Sequence, residues 1–207
     1  MAACALAVLM AVLCVTPAAA DLDTGMEGLW TGSNADGEMT LLLGSGGTFI
    51  SIYQADDTYQ QAGVFTTDQD NMYLTMTDGS TSTLQYGFAE GSLYLSSEGD
   101  EIELKRADFP AKENFTGVWI VNGEGGTGSG LISMDASGGF ASVDARSGEA
   151  EKGIYLPAQG EMLIAFQDCT ALKMGYTMDE TGGALTLTNE DSGVVMQLTR
   201  YAPAATE

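Results

Sequence analysis

Between Gly28 and Arg106 the chain is cut seven times by short turn-forming clusters: Asn34–Gly37, Gly44–Gly47, Ala55–Asp57, Asp68–Asn71, Asp78–Ser80, Glu90–Gly91 and Glu98–Asp100. Seven cuts leave eight segments at a spacing of about ten residues, which leaves no room for helices. Gly, Asn and Asp supply the backbone conformations that tight hairpins require, so the spacing predicts a meandering antiparallel sheet. The segments also alternate. Met39, Leu41 and Leu43 share one face, as do Met72, Leu74 and Met76, then Leu84, Tyr86 and Phe88, then Leu93 and Leu95. Period two is the signature of a half-buried strand.

From Gly117 to Arg200 the count recurs, with cuts at 122–130, 137–139, 146–148, 157–160, Asp168, 179–183 and 189–193. Here Met162, Ile164 and Phe166 line one face, and Leu172, Met174, Tyr176 and Met178 another. The halves match at landmarks: Trp30 with Trp119, Phe49 with Phe140, Gly63 with Gly153, Phe65 with Tyr155, Tyr86 with Tyr176, Leu93 with Leu185 and Arg106 with Arg200, at offsets of 89 to 94. Such constancy points to a tandem duplication. The expected organisation is a first barrel over 21–106, a linker over 107–114 reading "ADFPAKEN", and a second barrel over 115–207, each unit able to fold by itself.

Each unit starts with Gly-x-Trp and ends with an apolar-x-Leu-x-Arg stretch, "IELKR" at 102–106 and "MQLTR" at 196–200. Ile102, Leu104 and Arg106 fall on one face of a straight strand, which places the guanidinium on the apolar side; Met196, Leu198 and Arg200 repeat this. A cation there needs compensation, and the face of a tryptophan offers some. Closing an eight-strand meander brings the first strand beside the last, so Trp30 is expected beneath Arg106 and Trp119 beneath Arg200. Closure also removes both sheet edges.

Gly28, Trp30 and Arg106, with Gly117, Trp119 and Arg200, resemble the signature of the calycins, the superfamily of lipocalin, fatty-acid-binding and avidin-like barrels; "NFTGVWIVN" is similar to the opening of such proteins. Each unit is shorter than a typical member, and the closer comparison is the compact lipocalin-like domain of secreted bacterial proteins. The resemblance implies an all-β fold of two small up-and-down barrels, of the kind that often holds a small apolar ligand. Met76, Tyr86 and Phe88 in the first unit and Phe166, Met174 and Tyr176 in the second are the candidates to line such an interior.

The first twenty residues, MAACALAVLMAVLCVTPAAA, form an apolar run ending in small residues, which reads as a secretory signal peptide over 1–20 and as too short for a durable transmembrane anchor. No Lys or Arg precedes its apolar core. A competing reading makes Cys14 a lipidated N-terminus, but Leu13 stands where lipoprotein signals carry a small residue. Past the signal the chain keeps its whole net charge of −22, with seven basic residues against twenty-nine acidic ones. That balance repels nucleic acid and anionic membrane surfaces and suits solubility outside the cell. Cys169 is then the lone cysteine and no disulfide framework exists, so stability rests on a core, for which 44% apolar residues suffice.

Histidine is absent, which removes Ser-His-Asp and Cys-His catalysis and every His-containing metal site. "GEGGTG" at 123–128 matches a dinucleotide fingerprint, yet it leads into a strand rather than a helix and reads as a hairpin loop. The acidic clusters "NADGE", "TDQDN" and "SEGDEIE" complete no calcium loop. "NFT" at 114–116 is a glycosylation sequon. No nucleophile, acid or base is marked, so the chain is expected to be non-enzymatic and to need no cofactor. Two readings stay open: a secreted carrier of small hydrophobic molecules, with a methionine-rich interior, or an extracellular module of solid barrels that presents acidic loops to a protein or cell-surface partner.

Overall fold

A computed structural model describes residues 25–97, 99–109, 115–122, 130–158 and 160–202. The signal-like run with Cys14, residues 110–114 with the sequon's Asn114, and the glycine-rich 123–128 lie outside the described residues. The first unit contains β1 (Gly28–Ser33), β2 (Glu38–Leu43), β3 (Thr48–Gln54), β4 (Thr58–Thr67), β5 (Asn71–Met76), β6 (Thr81–Ala89), β7 (Ser92–Ser97) and β8 (Asp100–Ala107). The second contains β9 (Gly117–Asn122), β10 (Gly130–Met134), β11 (Gly139–Asp144), β12 (Ala150–Ala158), β13 (Glu161–Phe166), β14 (Ala171–Met178), β15 (Ala184–Asn189) and β16 (Val194–Arg200). Every neighbouring pair is antiparallel and consecutive, and the last strand of each unit returns to the first, giving two closed eight-stranded up-and-down barrels in tandem.

The strands break where the turn residues stand, because short polar side chains there take over backbone donors. Asn34 Oδ1 accepts from the Asp36 and Gly37 amides, each at 3.0 Å. Asp144 Oδ1 accepts from the Arg146 and Ser147 amides, each at 2.8 Å. These local bonds stop a ladder and start a turn. In one place the turn begins later than the cluster suggests: β12 runs through Pro157 to Ala158.

Register confirms the duplication residue by residue. Phe49 pairs with Gly63 as Phe140 pairs with Gly153. Tyr86 faces Leu95 as Tyr176 faces Leu187, and Leu93 faces Leu104 as Leu185 faces Leu198. Alternate residues point inward to two separate cores, one around Trp30, Phe49, Phe65, Met72 and Leu104, the other around Trp119, Phe140, Tyr155, Met162 and Leu198.

A third apolar cluster lies between the barrels. Leu29, Leu42, Ile50 and Ile52, on the outer face of the first barrel, bury themselves against Ile154, Leu156, Leu163 and Ala165, on the outer face of the second. These strands are therefore apolar on both faces, as "LLL" at 41–43 and "MLIAF" at 162–166 register. The connection joins this seam: Ala107 still pairs with Leu29, and Phe109 packs edge-on against Tyr155, ring centres 5.1 Å apart. Gly138 takes a φ of 89° at the seam, and a β-carbon there would lie 2.7 Å from Phe109 and 3.0 Å from Leu42. The barrels thus share a core, although each closes its own ladder.

The seam should couple the two units. Leu42→Ala or Ile50→Ala should lower the stability of the full chain by about 2–5 kcal/mol while leaving both barrel interiors intact. Chemical denaturation should show one transition for the full chain and lower midpoints for residues 21–108 and 110–207 taken separately. Two resolved transitions in the full chain, each matching a separate half, would show the seam to be energetically silent.

Candidate functional site

The Gly-x-Trp and Arg positions meet at one end of each barrel. Trp30 pairs across strands with Arg106, whose guanidinium carbon stands 4.5 Å from the indole centre; Trp119 pairs with Arg200, at 4.3 Å. Both indoles are buried. Each indole N–H donates over 2.8 Å to the carbonyl four residues earlier, that of Met26 in one case and Phe115 in the other. That bond folds the entering chain across the barrel end, so that the Met26 and Phe115 side chains become buried caps.

The guanidinium then fastens the entering chain. Arg106 donates to the Glu27 and Gly25 carbonyls, each at 2.6 Å, and Arg200 donates to the carbonyls of Thr116 and Gly182. Gly28 and Gly117 are required for this approach. Their φ angles are 120° and 137°, and a β-carbon would lie 2.6 Å from Arg106 Nη1 and 3.0 Å from Arg200 Nη1. This end is a latch made of backbone, indole and guanidinium.

The interior candidates divide between latch and core. Phe88 stands half in solvent with its ring centre 5.8 Å from that of Trp30, and Tyr86 lies edge-on to it at 6.3 Å, its hydroxyl donating to the Asp68 carbonyl. Tyr176 packs edge-on against the cap Phe115 at 5.1 Å. Phe166 meets Phe140 edge-on at 5.7 Å inside the second barrel, where Met174 is fully buried. Met76 alone of the six lines a cavity in the first barrel.

That cavity measures about 210 Å³. Its apolar wall is Met39, Leu41, Phe49, Met72, Leu74, Met76, Leu84 and Leu95, and its polar strip is Ser51, Gln61 and Ser82. A hollow of about 280 Å³ lined by Asn34, Ser96, Ser97, Asp100, Glu101 and Ile102 shares Met39, Leu84 and Leu95 with it and forms a mouth. Asn34 follows the last residue of β1, so the mouth lies at the end away from the latch. A separate polar cleft of about 420 Å³ lies at the seam, lined by Gly44, Ser45, Thr48, Arg106, Ser133, Asp135, Lys152 and Gln167 among others.

Around these spaces the acidic turns are occupied by their own backbone. Asp68 accepts from the Tyr73 hydroxyl at 2.6 Å and from the Asn71 and Asp70 amides at 2.8 and 3.1 Å. These bonds, the Tyr73 hydroxyl foremost, hold the Asp68 carboxyl at about 2 rather than its ordinary 3.8, and the same contact raises the Tyr73 phenol. No group of three or more metal-ligating side chains is gathered among the described residues. Cys169 adopts a φ of 68° in the β13–β14 turn, with its sulfur 3.5 Å from the Thr75 and Met76 carbonyls of the first barrel. No helix among the described residues is long and apolar enough to cross a membrane.

Met26 and Phe115 escaped the sequence reading although both stand four residues before a tryptophan; the signal was there, but its meaning depends on where the indole N–H points. The seam escaped because continuous apolar runs carry no period.

Gly28→Ala should destabilise the chain by about 1–3 kcal/mol, since it combines a left-handed backbone with a collision. Gly87→Ala is the control, because nothing lies within 4 Å of a β-carbon there and its φ is ordinary; denaturation midpoints compare the two. The Asp68 carboxyl, followed by carbon NMR, should titrate near pH 2 in the native protein, and Tyr73→Phe should move it toward 3.8. Because its pKa is depressed on folding, the stability it contributes is complete above pH 3.8 and is lost as pH falls through about 2.

No protein-family model matches the chain, and no curated protein matches it. Among solved structures the chain is similar over 88% of its length to the whole of the crystallised Cpx pathway activator NlpE from Escherichia coli, at 15% identity and a TM-score of 0.30. It is similar over 92% of its length to 60% of the DNA polymerase III beta subunit from Thermotoga maritima, at 10% identity and a TM-score of 0.17, and over 90% to 60% of that subunit from Pseudomonas aeruginosa, at 8% and 0.18. Superpositions this loose carry no argument about the site, which stands on its own geometry.

Proposed function

We propose that the chain is a secreted, non-enzymatic, lipocalin-like protein of the calycin type whose first barrel binds a small apolar ligand while the second serves as a solid partner. The observation that carries this reading is the asymmetry between equivalent interior positions. The β5 and β13 strands correspond, and where the first barrel has Met76 at the cavity wall the second has Phe166 stacked edge-on against Phe140. Methionine, unbranched and polarizable, fits an irregular guest; a pair of aromatic rings fills the space itself. A cavity of about 150 Å³ admits benzene, so about 210 Å³ suits a monocyclic aromatic or a short alkyl chain. The apolar N-terminal run supports export, and the charge of −22 supports life as a soluble extracellular protein.

A second reading, an extracellular interaction module, is favoured by one observation. Ile120, Leu131 and Val143 are direct cross-strand neighbours on the outside of β9, β10 and β11, and all three are exposed. Such a row offers a partner apolar contact without any ligand inside.

Methyl-labelled methionine NMR separates the two. Titration of the full-length mature protein with toluene should shift the Met39, Met72 and Met76 methyls and leave Met134, Met162 and Met174 unmoved. Met76→Phe, which copies the second barrel, should abolish the shifts. If no methyl moves, or if those of both barrels move equally, the single-carrier reading falls and the interaction module takes its place.

A further inference from the structure

We infer that the first barrel selects a neutral amphiphile the size of phenol or a six-carbon alcohol, with a single hydrogen-bonding group seated against Ser51 and Gln61, and that it rejects carboxylates and ammonium ions. This rests on the carrier reading above and narrows it to a chemical class.

Ser51 is 8% exposed and lines the cavity, and its hydroxyl has no hydrogen-bond partner among the described residues. A buried hydroxyl without a partner is unfavourable, and a cavity-facing one awaits a guest atom. Gln61 sits directly across the strand pair from Ser51 and lines the same wall, so a hydroxyl and an amide stand side by side. The remaining wall is aliphatic, methionine or phenyl, apart from Ser82. A guest with one polar end and an apolar body matches that division.

The second barrel shows what the same positions look like when they are not kept for a guest. Ser142 occupies the Ser51 position and donates to Glu151, which occupies that of Gln61, at 3.4 Å; Leu172 occupies the Ser82 position, each facing β13 as Ser82 faces β5. There the hydroxyl has an exposed carboxylate partner, and one polar position has become a leucine that is itself exposed. In the first barrel all three polar groups remain.

Charge decides which amphiphile. No Lys or Arg lines the cavity or its mouth, so a carboxylate would lose its hydration without gaining a countercharge, and the mouth's Asp100 and Glu101 would repel it on entry. Those rim carboxylates would attract an ammonium ion, but no acidic side chain lines the cavity within, so it too would be desolvated unpaired. A neutral hydroxyl or amide escapes both penalties and can both donate and accept.

The experiment uses the full-length mature protein and a matched series of toluene, phenol, 1-hexanol, hexanoate and hexylammonium at pH 7, with affinities read from the methionine methyl shifts. Phenol should bind about tenfold more tightly than toluene, the yield of one net hydrogen bond. Ser51→Ala should erase that ratio by weakening phenol relative to toluene, and dispersed methionine methyl signals show that the variant is folded. Hexanol should bind, and hexanoate and hexylammonium should not. If toluene binds but phenol gains nothing, if Ser51→Ala leaves the ratio intact, or if either ion matches hexanol, the inference is overturned and the carrier reading survives. If no compound in the series moves the first-barrel methyls, the carrier reading fails and the inference goes with it.

Discussion

The joining of first strand to last is the constraint on which each half of this molecule depends. Without the Trp30–Arg106 and Trp119–Arg200 pairings, eight short strands would leave two open edges and an interior exposed at one end. The guanidinium resolves two problems at once. It sits on the indole, a contact worth about 0.5–1 kcal/mol at a site open to solvent, and it supplies donors to carbonyls of the entering chain that belong to no ladder. The indole N–H handles another such carbonyl. Backbone groups that an edge would leave orphaned are therefore satisfied by the side chains that close the barrel.

This latch has a geometric consequence. Because it occupies one end of each barrel, access to an interior has to come from the other, where β1 gives way to the Asn34 turn and the mouth opens between Met39 and Ile102. The tryptophans are structural for the same reason: a buried ring held by its own N–H and covered by a guanidinium has no face left for a guest. The Gly-x-Trp and Arg pair explains closure, and the open space lies toward the opposite end, among residues outside that pair.

Much of the fold was legible in the sequence because its physics is local. Asn34, Asp68 and Asp144 stop strands by bonding to amides two and three residues on, and Met72 and Leu74 alternate with the exposed Tyr73 because one sheet face is wet. Even the parity that places Arg106 with Leu104 is a property of a few residues. The seam was not legible, since Leu42, Ile50, Ile154 and Leu163 gain their burial from a barrel far away in sequence. Among the interior candidates, Phe88 and Tyr86 share the expected face with Leu84, yet strand tilt carries them to the latch and Leu84 to the cavity. Parity tells which face a residue occupies; height along the barrel requires the register of all eight strands.

The duplication gives the asymmetry its meaning. Two barrels with the same closure, register and landmark glycines differ inside: Met76 corresponds to Phe166 and Ser82 to Leu172, whereas Met39 corresponds to Gly130 and Leu84 to Met174. Strands β12 and β13 of the second barrel press on β3 through the seam. β3 carries Ile50 and Ile52 toward the seam and Phe49 and Ser51 toward the cavity. The second barrel therefore braces, through the seam, the strand that forms a wall of the cavity in the first.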